Sequence, residues 1–253
     1  MSNFNQYAEY YDLLYKDKDY IQEANYIDSL LQKYSSNTKS ILELGCGTGK
    51  HAIILGKKGY KVHGVDLSEG MIREAKIHLE QGEATDIQLT QGDIRKVRLE
   101  EKFDAVISLF HVMSYQTENK DLEDVFQTVS EHLNEGGLFI FDCWNGPAVL
   151  EEQPETRVRR LENDSVEVTR IAEPTLHPNE NVVDVNYEIY IKDKKNNQIT
   201  KFSEVHNMRY LFKQEIMSLA EKYDYEFEHM FAFNSFYQPN LRDWNVIFIL
   251  RKR

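Results

Sequence analysis

The spacing of apolar residues changes twice along the chain and divides it into three stretches. Between residues 40 and 141, short apolar runs typical of buried strands alternate with segments whose apolar residues recur every three or four positions, as in amphipathic helices. Between residues 157 and 210, apolar and polar residues alternate one by one, which indicates half-buried strands. After residue 210, one helical pattern and two strand patterns follow.

These patterns predict individual elements. Strands are expected at residues 40–45, 61–66, 86–90, 103–110, 138–141, 225–233 and 244–250, with three more at 157–171, 181–191 and 199–210. Helices are expected at residues 19–34, 49–58, 121–133 and 211–222, and another begins after Ser68, a residue suited to an N-cap. Strands that alternate with helices are typical of an α/β sheet, whereas the three strands between residues 157 and 210 predict an antiparallel insertion.

Residues 40–49, SILELGCGTG, join a short apolar strand to a turn that contains Gly45, Gly47 and Gly49. Glycine lets a backbone pass close to a ligand where a Cβ would collide. The helix that follows presents free N–H groups and the positive end of its dipole. We therefore expect a ligand above this turn, although such a turn can also serve only to connect a strand to a helix.

Two acidic residues narrow the choice of ligand. The spacing G-x-G-x-G is one residue shorter than the dinucleotide fingerprint G-x-G-x-x-G. Asp66 ends the second strand 21 positions after Gly45, where a carboxylate can accept hydrogen bonds from ribose hydroxyls. NAD and S-adenosylmethionine both contain that ribose, so Asp66 does not separate them. Glu43 would repel a pyrophosphate but suits a cofactor that carries an amine and a sulfonium, and it favours S-adenosylmethionine.

Four segments resemble, in order, the motifs of the class I S-adenosylmethionine-dependent methyltransferases: residues 43–49, 65–68, 91–94 and 103–106. The resemblance implies a Rossmann-like, doubly wound, seven-stranded and mostly parallel sheet, here with an antiparallel β insertion. It also implies S-adenosylmethionine as the cofactor. The residues expected to bind it are Tyr11, Tyr20, Glu43, Gly45, Cys46, Gly47, Thr48, Gly49, Asp66, Leu67, Met71, Gly92, Asp93, Ile94, Leu109 and Phe110.

The expected catalytic residues are Tyr15, Tyr115 and His111. In the enzymes that the chain resembles, a Y-D-x-x-Y segment, here Tyr11, Asp12 and Tyr15, closes over the cofactor; the alternative is a helix that only packs its aromatic rings on the domain. His111 and Tyr115 follow the buried strand 103–110, at the edge of an open α/β sheet where ligands bind. A phenol or an imidazole there can orient an amine or take its proton, although His111 can equally be an ordinary hydrogen-bonded histidine.

The last strand of the insertion places Phe202, Glu204, His206, Met208 and Tyr210 on one face. This mixture favours a pocket, with a solvent-facing stripe as the alternative. The insertion can form a substrate wall, a dimer surface, or both. The residues expected to bind substrate are Trp144, His206 and Arg209.

Within the family, the chain is similar to the N,N-dimethyltransferases of nucleotide-linked deoxyamino sugars. The similarity rests on residues 11–15, 46–49 with His51, 108–110 and 202–206. It implies N-methylation of an amine, with Tyr115 near the acceptor nitrogen. His111 and Met113 depart from the pattern, because those enzymes carry smaller residues there. The candidate cations for a diphosphate are Arg157, Arg159, Arg160, Arg209 and Arg242, with a solvated face as the alternative for the run of residues 158–160.

Composition limits the partners. The net charge of −12 and the pI of about 5.2 disfavour nucleic acid and anionic membranes. Two cysteines form no disulfide framework and fit a reducing cytoplasm. The first residues lack a signal-peptide pattern, and no apolar run approaches the roughly 18 residues of a membrane span. Neither H-E-x-x-H nor C-x-x-C occurs, so no metal site is expected.

We therefore expect a cytoplasmic methyltransferase of a small-molecule acceptor, an amine on a nucleotide-linked sugar, that acts alone or as a homodimer. The alternatives are another small molecule or a tRNA as acceptor, an NAD-dependent oxidoreductase, and a silent S-adenosylmethionine-binding module. The expected domains are residues 1–148 (cofactor-binding core with the N-terminal lid), 149–210 (insertion) and 211–253 (completion of the core sheet).

Overall fold

A computed structural model gives the structure of residues 13–82 and 85–253, so Tyr11 and Asp12 lie outside the described residues. The strands are β1 (Ser40–Leu44), β2 (Lys61–Asp66), β3 (Ile87–Gln91), β4 (Phe103–Ser108), β5 (Leu133–Asn145), β6 (Arg157–Glu162), β7 (Val166–His177), β8 (Val182–Asp193), β9 (Ile199–Leu211), β10 (Tyr225–Ala232) and β11 (Asn245–Lys252). The helices are α1 (Tyr20–Tyr34), α2 (Lys50–Lys57), α3 (Glu69–Gln81), α4 (Asn119–His132), α5 (Gly146–Glu151) and α6 (Lys213–Lys222), and Val112–Tyr115 form a 3-10 turn.

The core sheet is mostly parallel, as predicted. Strands β1 to β5 run parallel in the order β3-β2-β1-β4-β5. Strand β11 then pairs antiparallel with β5, and β10 pairs antiparallel with β11. Within the described chain this makes a sheet of seven strands, whose parallel strands all end at one edge.

Both faces of the core sheet are covered, which explains the continuous apolar runs of the central strands. Ile41 of β1 packs toward α1 and α2, and its neighbour Leu42 packs on the opposite face with α4 and α6. Strand β4 divides in the same way, with Ile107 on the first face and Val106 on the second. The α/β, doubly wound arrangement is confirmed.

Most elements lie within two residues of their predicted bounds, and the strand that follows α4 is the clearest difference. The strand predicted at 138–141 extends over Leu133–Asn145, because β4 pairs with Leu133 at one end and β11 reaches Trp144 at the other. The helix predicted over residues 121–133 spans Asn119–His132.

The prediction of three strands in the insertion is wrong. Four antiparallel strands, β6 to β9, cover this part of the described chain. The stretch expected as one strand, 157–171, folds back at residues 163–165. Oδ1 of Asn163 accepts hydrogen bonds from the backbone N–H groups of Ser165 and Val166, each at 2.9 Å, and closes a hairpin turn.

The insertion joins the core along a short seam. Strand β9 pairs in parallel with β5 at two residue pairs, Trp144 with Tyr210 and Asn145 with Leu211. The expected domain boundaries at residues 148 and 210 thus fall inside α5 and at the last residues of β9. In the part of the chain with described structure, no helix is long and apolar enough to cross a membrane.

Candidate active site

A cavity of about 920 Å³ lies between the carboxyl ends of the parallel strands and one face of the insertion. Ligand pockets usually measure about 300–1,000 Å³, so this volume is large for one small molecule. The core side contributes the glycine turn and the segments after β2, β3 and β4. The insertion side contributes the face of β6 to β9 that carries His206 and Met208.

The glycine turn requires glycine for two different reasons. Gly45 has φ +80°, and a Cβ there would lie 2.6 Å from Cγ1 of Val112. Gly49 precedes α2 with φ +74°, a left-handed conformation that other residues rarely adopt. The backbone N–H groups of Gly45 and Cys46 both donate to the carbonyl of Val65, at 2.7 and 3.0 Å. The turn is thereby fixed to the end of β2.

Asp66 is held in place at the tip of β2 by two backbone groups. Oδ2 accepts from the N–H of Gly47 at 2.9 Å, and Oδ1 accepts from the N–H of Ser68 at 2.8 Å. Burial raises the pKa of this carboxyl, and the charge of Glu43 adds to the effect, whereas the two N–H groups oppose it. The carboxylate lines the cavity in a fixed orientation, with further lone pairs for a ligand.

Asp93, after β3, forms a bidentate ion pair with Arg95. The Nε of Arg95 donates to Oδ1 at 2.9 Å and its Nη2 donates to Oδ2 at 2.8 Å, while its Nη1 reaches Asp121 at 2.7 Å. The guanidinium lowers the pKa of Asp93. Both Asp93 and Arg95 line the cavity, so the carboxylate is presented to a ligand as a rigid acceptor.

A buried ionic network connects α1 to the glycine turn. Nε2 of His51 lies 2.8 Å from Oε2 of Glu23, and its Nδ1 lies 3.6 Å from Oε1 of Glu43. Glu23 also forms an ion pair with Lys18. Burial alone would lower the pKa of His51, but Glu23 and Glu43 raise it to about 9. The imidazole is therefore charged at neutral pH.

The same network brings the segment before α1 against the cavity. Nζ of Lys18 lies 4.2 Å from the ring centroid of Phe110, and the rings of Tyr15 and Phe110 meet edge to face at 5.0 Å. Tyr15 also reaches the insertion, because Nη1 of Arg170 donates to its hydroxyl at 3.3 Å. The guanidinium of Arg170 lies over the ring of Tyr187, 4.8 Å from its centroid.

Three polar side chains form a chain of contacts between the 3-10 turn after β4 and strand β9 of the insertion. The hydroxyl of Tyr115 lies 2.7 Å from Nδ1 of His206, and Nε2 of His206 lies 3.1 Å from Oε2 of Glu204. Glu204 and His206 are 5 and 6% exposed, respectively, which excludes the predicted alternative of a solvent-facing stripe. Tyr115 and His206 line the cavity. Burial raises the pKa of the Tyr115 phenol well above its usual range, so the phenol is neutral.

The segment after β4 is strained. Phe110 and His111 have φ values of +66° and +63°, although neither is glycine. The backbone N–H of His111 donates to Oδ1 of the buried Asp142 at 3.0 Å. Residues with strained backbone conformations of this kind are frequent at functional sites, and the surrounding structure has to hold them in place.

Comparison with known proteins agrees with this geometry. Residues 41–137 match a family described as "Methyltransferase domain". The dTDP-3-amino-3,4,6-trideoxy-α-D-glucopyranose N,N-dimethyltransferase of Streptomyces venezuelae is 31% identical over 204 residues, which are 79% of this chain and 81% of the relative. The chain belongs to the S-adenosylmethionine-dependent methyltransferases. Its cofactor is S-adenosylmethionine, and the alternative of an NAD-dependent oxidoreductase is wrong.

Two solved structures show the same fold. The crystal structure of Streptomyces venezuelae DesVI superposes with a TM-score of 0.80 at 26% identity and covers 96% of this chain and 97% of that one. An S-adenosylmethionine-dependent methyltransferase from Clostridium acetobutylicum ATCC 824 gives a TM-score of 0.83 at 22% identity, with 98% of each chain covered. Both agreements extend over the insertion as well as over the core.

Most of the residues predicted for the methyltransferase site do line the cavity. They are Tyr15, Tyr20, Gly45, Cys46, Gly47, Thr48, Asp66, Leu67, Met71, Asp93, Ile94, Leu109, Phe110, His111, Tyr115, Trp144 and His206. Glu43, Gly49 and Gly92 are not among the lining residues. Glu43 is 1% exposed, and its Oε2 has no hydrogen-bond partner among the described residues. Tyr11 lies outside the described residues.

Arg209 is not among the cavity-lining residues, contrary to the prediction that it binds substrate. Successive residues of a strand point to opposite faces, so β9 directs Arg209 away from the side of His206 and Met208. Its guanidinium forms an ion pair with Glu215 and donates to the carbonyl of Thr117 at 3.1 Å. Arg209 therefore anchors the end of β9 to the core.

Several cavity residues were not predicted. They are Lys50, His51, Arg95, Gln116, Tyr187, Arg170 and Trp244 among others. Two of them could have been predicted from the sequence. His51 belongs to a segment that resembles the sugar methyltransferases, and Arg95 directly follows the third motif. Of the arginines expected to face a diphosphate, Arg157 and Arg159 line the cavity, whereas Arg160 and Arg242 do not.

Proposed function

We propose that this methyltransferase transfers methyl groups to the amino group of a nucleotide-linked deoxyamino sugar. The observation that carries the proposal is the composition of the insertion wall: Arg157, Arg159 and Arg170 line the cavity on the same sheet face as His206. In a chain of net charge −12, three arginines on one wall provide a local site for an anionic group such as a diphosphate.

The relative from Streptomyces venezuelae supports this class of acceptor, since its name states N,N-dimethylation of a dTDP-linked amino sugar. The acceptor would lie with its diphosphate toward the arginines of β6 and β7 and its amine toward Tyr15 and Tyr115. Under this proposal, the predicted substrate wall is the inner face of the insertion.

The core side of the cavity suits the cofactor. Asp66 lines the cavity and can accept hydrogen bonds from ribose hydroxyls, and Met71, Ile94 and Leu109 can offer apolar surface to a purine. A Cβ at Gly47 would meet no atom within 4 Å, so the backbone of the turn is open to a ligand there. S-adenosylmethionine supplies an electrophilic methyl group on its sulfonium.

The work of the chain is to position the acceptor and to keep water out. The phenols of Tyr15 and Tyr115 can orient an amine without carrying charge, because a neutral hydroxyl both donates and accepts hydrogen bonds. A cavity closed by the insertion on one side and by Tyr15 and Phe110 on the other limits the access of water to the transferred methyl group.

The test is incubation of the purified protein with S-adenosylmethionine and dTDP-3-amino-3,4,6-trideoxy-α-D-glucopyranose, followed by mass spectrometry. We expect products that have gained one and then two methyl groups. dTDP-glucose, which carries the same nucleotide and no amine, is the matched control and should remain unmodified. Methylation of the control, or an unmodified amino sugar in the presence of a protein that binds the cofactor, would overturn the proposal.

A further inference from the structure

Glu204 makes no contribution to the cavity lining, yet it is buried at the end of the contact chain that begins at Tyr115. We propose that Glu204 is a positioning residue that fixes the tautomer of His206, so that Tyr115 and His206 together take the proton from the acceptor ammonium group. The proposal rests on N-methylation as the proposed function and adds to it the route of the proton.

The hydrogen-bond partners determine the direction of the proton relay, which runs from the acceptor through Tyr115 to His206. A carboxylate only accepts hydrogen bonds, so Nε2 of His206 donates to Oε2 of Glu204 across 3.1 Å. In the neutral imidazole, Nδ1 then carries the lone pair, and the Tyr115 hydroxyl donates to it across 2.7 Å. The phenol oxygen keeps its own lone pairs, which can accept an N–H of the acceptor.

The proton transfer balances without any further reactant. One N–H bond of the acceptor ammonium breaks and its proton bonds to the Tyr115 oxygen, while the original Tyr115 proton moves to Nδ1 of His206. The acceptor becomes a neutral amine that can attack the methyl group, and His206 becomes an imidazolium paired with Glu204. His206 must release its proton to water before the next round.

The surroundings of His206 fit this role. Tyr187 of β8 meets the imidazole ring edge to face at 4.9 Å, Arg170 of β7 lies over Tyr187, and the phenol of Tyr15 contacts Arg170. The neutral state of Tyr115, whose pKa is raised by burial, agrees with a phenol that relays a proton and does not hold a charge. Among the described residues, Glu204 is a carboxylate in direct contact with the imidazole.

The first experiment reads the tautomer and needs no substrate. In protein labelled with ¹⁵N-histidine, the His206 ring signals are assigned by their loss in His206→Gln. At a pH where the ring is neutral, we expect the Nε2–H form in the wild type and in Glu204→Gln, whose amide oxygen still accepts, and loss of this preference in Glu204→Leu. An Nδ1–H form in the wild type would overturn the relay.

The second experiment measures the consequence for turnover of dTDP-3-amino-3,4,6-trideoxy-α-D-glucopyranose. We expect kcat to fall about 10-fold in Glu204→Gln and about 100-fold or more in Glu204→Leu, with the affinity for S-adenosylmethionine unchanged. Equal losses in both variants would contradict the proposal, because only Glu204→Gln keeps an oxygen that can accept from Nε2 of His206.

The matched controls are Glu188→Gln and Glu188→Leu. Glu188 lies on the opposite face of the same sheet, where it pairs with Lys201. These variants should keep the wild-type kcat and the wild-type tautomer of His206. If the chosen amino sugar is not methylated, the proposed function fails while the tautomer measurement still decides the relay.

Discussion

The carboxylate of Asp142 holds His111 from two directions. Oδ1 accepts the backbone N–H of His111 at 3.0 Å, and Oδ2 lies 2.9 Å from Nδ1 of the ring, without the geometry of a hydrogen bond. Asp142 is buried, and the residue it holds is the second of two consecutive residues with left-handed backbone conformations. These two residues, Phe110 and His111, form part of the cavity wall.

Replacing Asp142 with alanine should lower the free energy of unfolding by about 1–3 kcal/mol, because a buried N–H loses its acceptor. Urea denaturation measures the change. Asp124→Ala is the control, since its carboxylate pairs with the exposed Lys120 along α4, and should cost less than about 1 kcal/mol. Similar losses for both variants would mean that Asp142 does not hold the segment.

A second pair of variants measures the free-energy cost of the left-handed backbone conformation of His111. Glycine adopts positive φ freely, so His111→Gly should be more stable than His111→Ala by about 0.5–1 kcal/mol. The opposite order would show that the left-handed conformation of His111 carries no cost in the folded protein.

Asp66→Ala should weaken S-adenosylmethionine binding by about 1–3 kcal/mol, because ribose hydroxyls would lose a buried acceptor. Calorimetric titration measures the affinity, and the Tm of the cofactor-free protein reveals any loss of the turn that Asp66 holds. Glu69→Ala, an exposed acid in the first turn of α3, should bind as the wild type does. Wild-type affinity in Asp66→Ala would remove Asp66 from the site.

Arg159 and Arg160 offer a direct test of the arginine wall, because neighbouring residues of β6 face opposite sides of the sheet. Arg159→Ala should raise KM for the dTDP-amino sugar about 5- to 50-fold with a smaller effect on kcat, since a contact to the nucleotide acts on binding. Arg160→Ala should leave both constants within about twofold. Steady-state kinetics at two salt concentrations measures this, and equal effects would place the nucleotide elsewhere.

His51 predicts a pH dependence of stability. Its pKa is raised to about 9 in the folded protein against 6.5 for the free side chain. A raised pKa means that the folded state binds the proton more tightly, so this stabilisation is complete below pH 6.5 and is lost as the pH rises through about 9. The loss amounts to at most about 3 kcal/mol.

Denaturation from pH 6 to pH 10 measures this dependence. The variant His51→Gln should be less stable at pH 6 and should show a flatter curve between pH 6.5 and 9. A wild-type curve that is already flat over this range would show that Glu23 and Glu43 do not hold the proton on His51.

The core side of the cavity could be predicted from sequence because its residues are close together in the chain. Gly45 and Gly47 occupy one turn, and Asp66 ends the next strand, so the βα rhythm alone brings them to one edge of the sheet. Ser68 was predicted as an N-cap, and its hydroxyl does accept from the N–H of Met71 at 3.3 Å. Each of these predictions depends on residues that are close to one another in the sequence.

The insertion side of the cavity depends on strand register, which a single sequence does not contain. Register pairs Arg170 with Ile189 and Ile189 with Phe202, and this brings three strands to one cavity wall. The hairpin at Asn163 was missed although its turn residues were visible, because alternation continues on both sides of it. The sequence does not reveal which way Arg209 points, because buried and exposed residues no longer alternate where β9 enters the core. Both faces of the strand are buried there.

The seam between β5 and β9 consists of only two residue pairs in the described structure, and it is where the insertion joins the core sheet. Under the proposed function, donor recognition resides in the core and acceptor recognition in the insertion, and few backbone contacts would have to be rebuilt to exchange one without the other. The insertion is therefore a natural unit for engineering. A chimera that keeps both ends of the seam and replaces β6 to β9 should retain its cofactor and acquire a new acceptor.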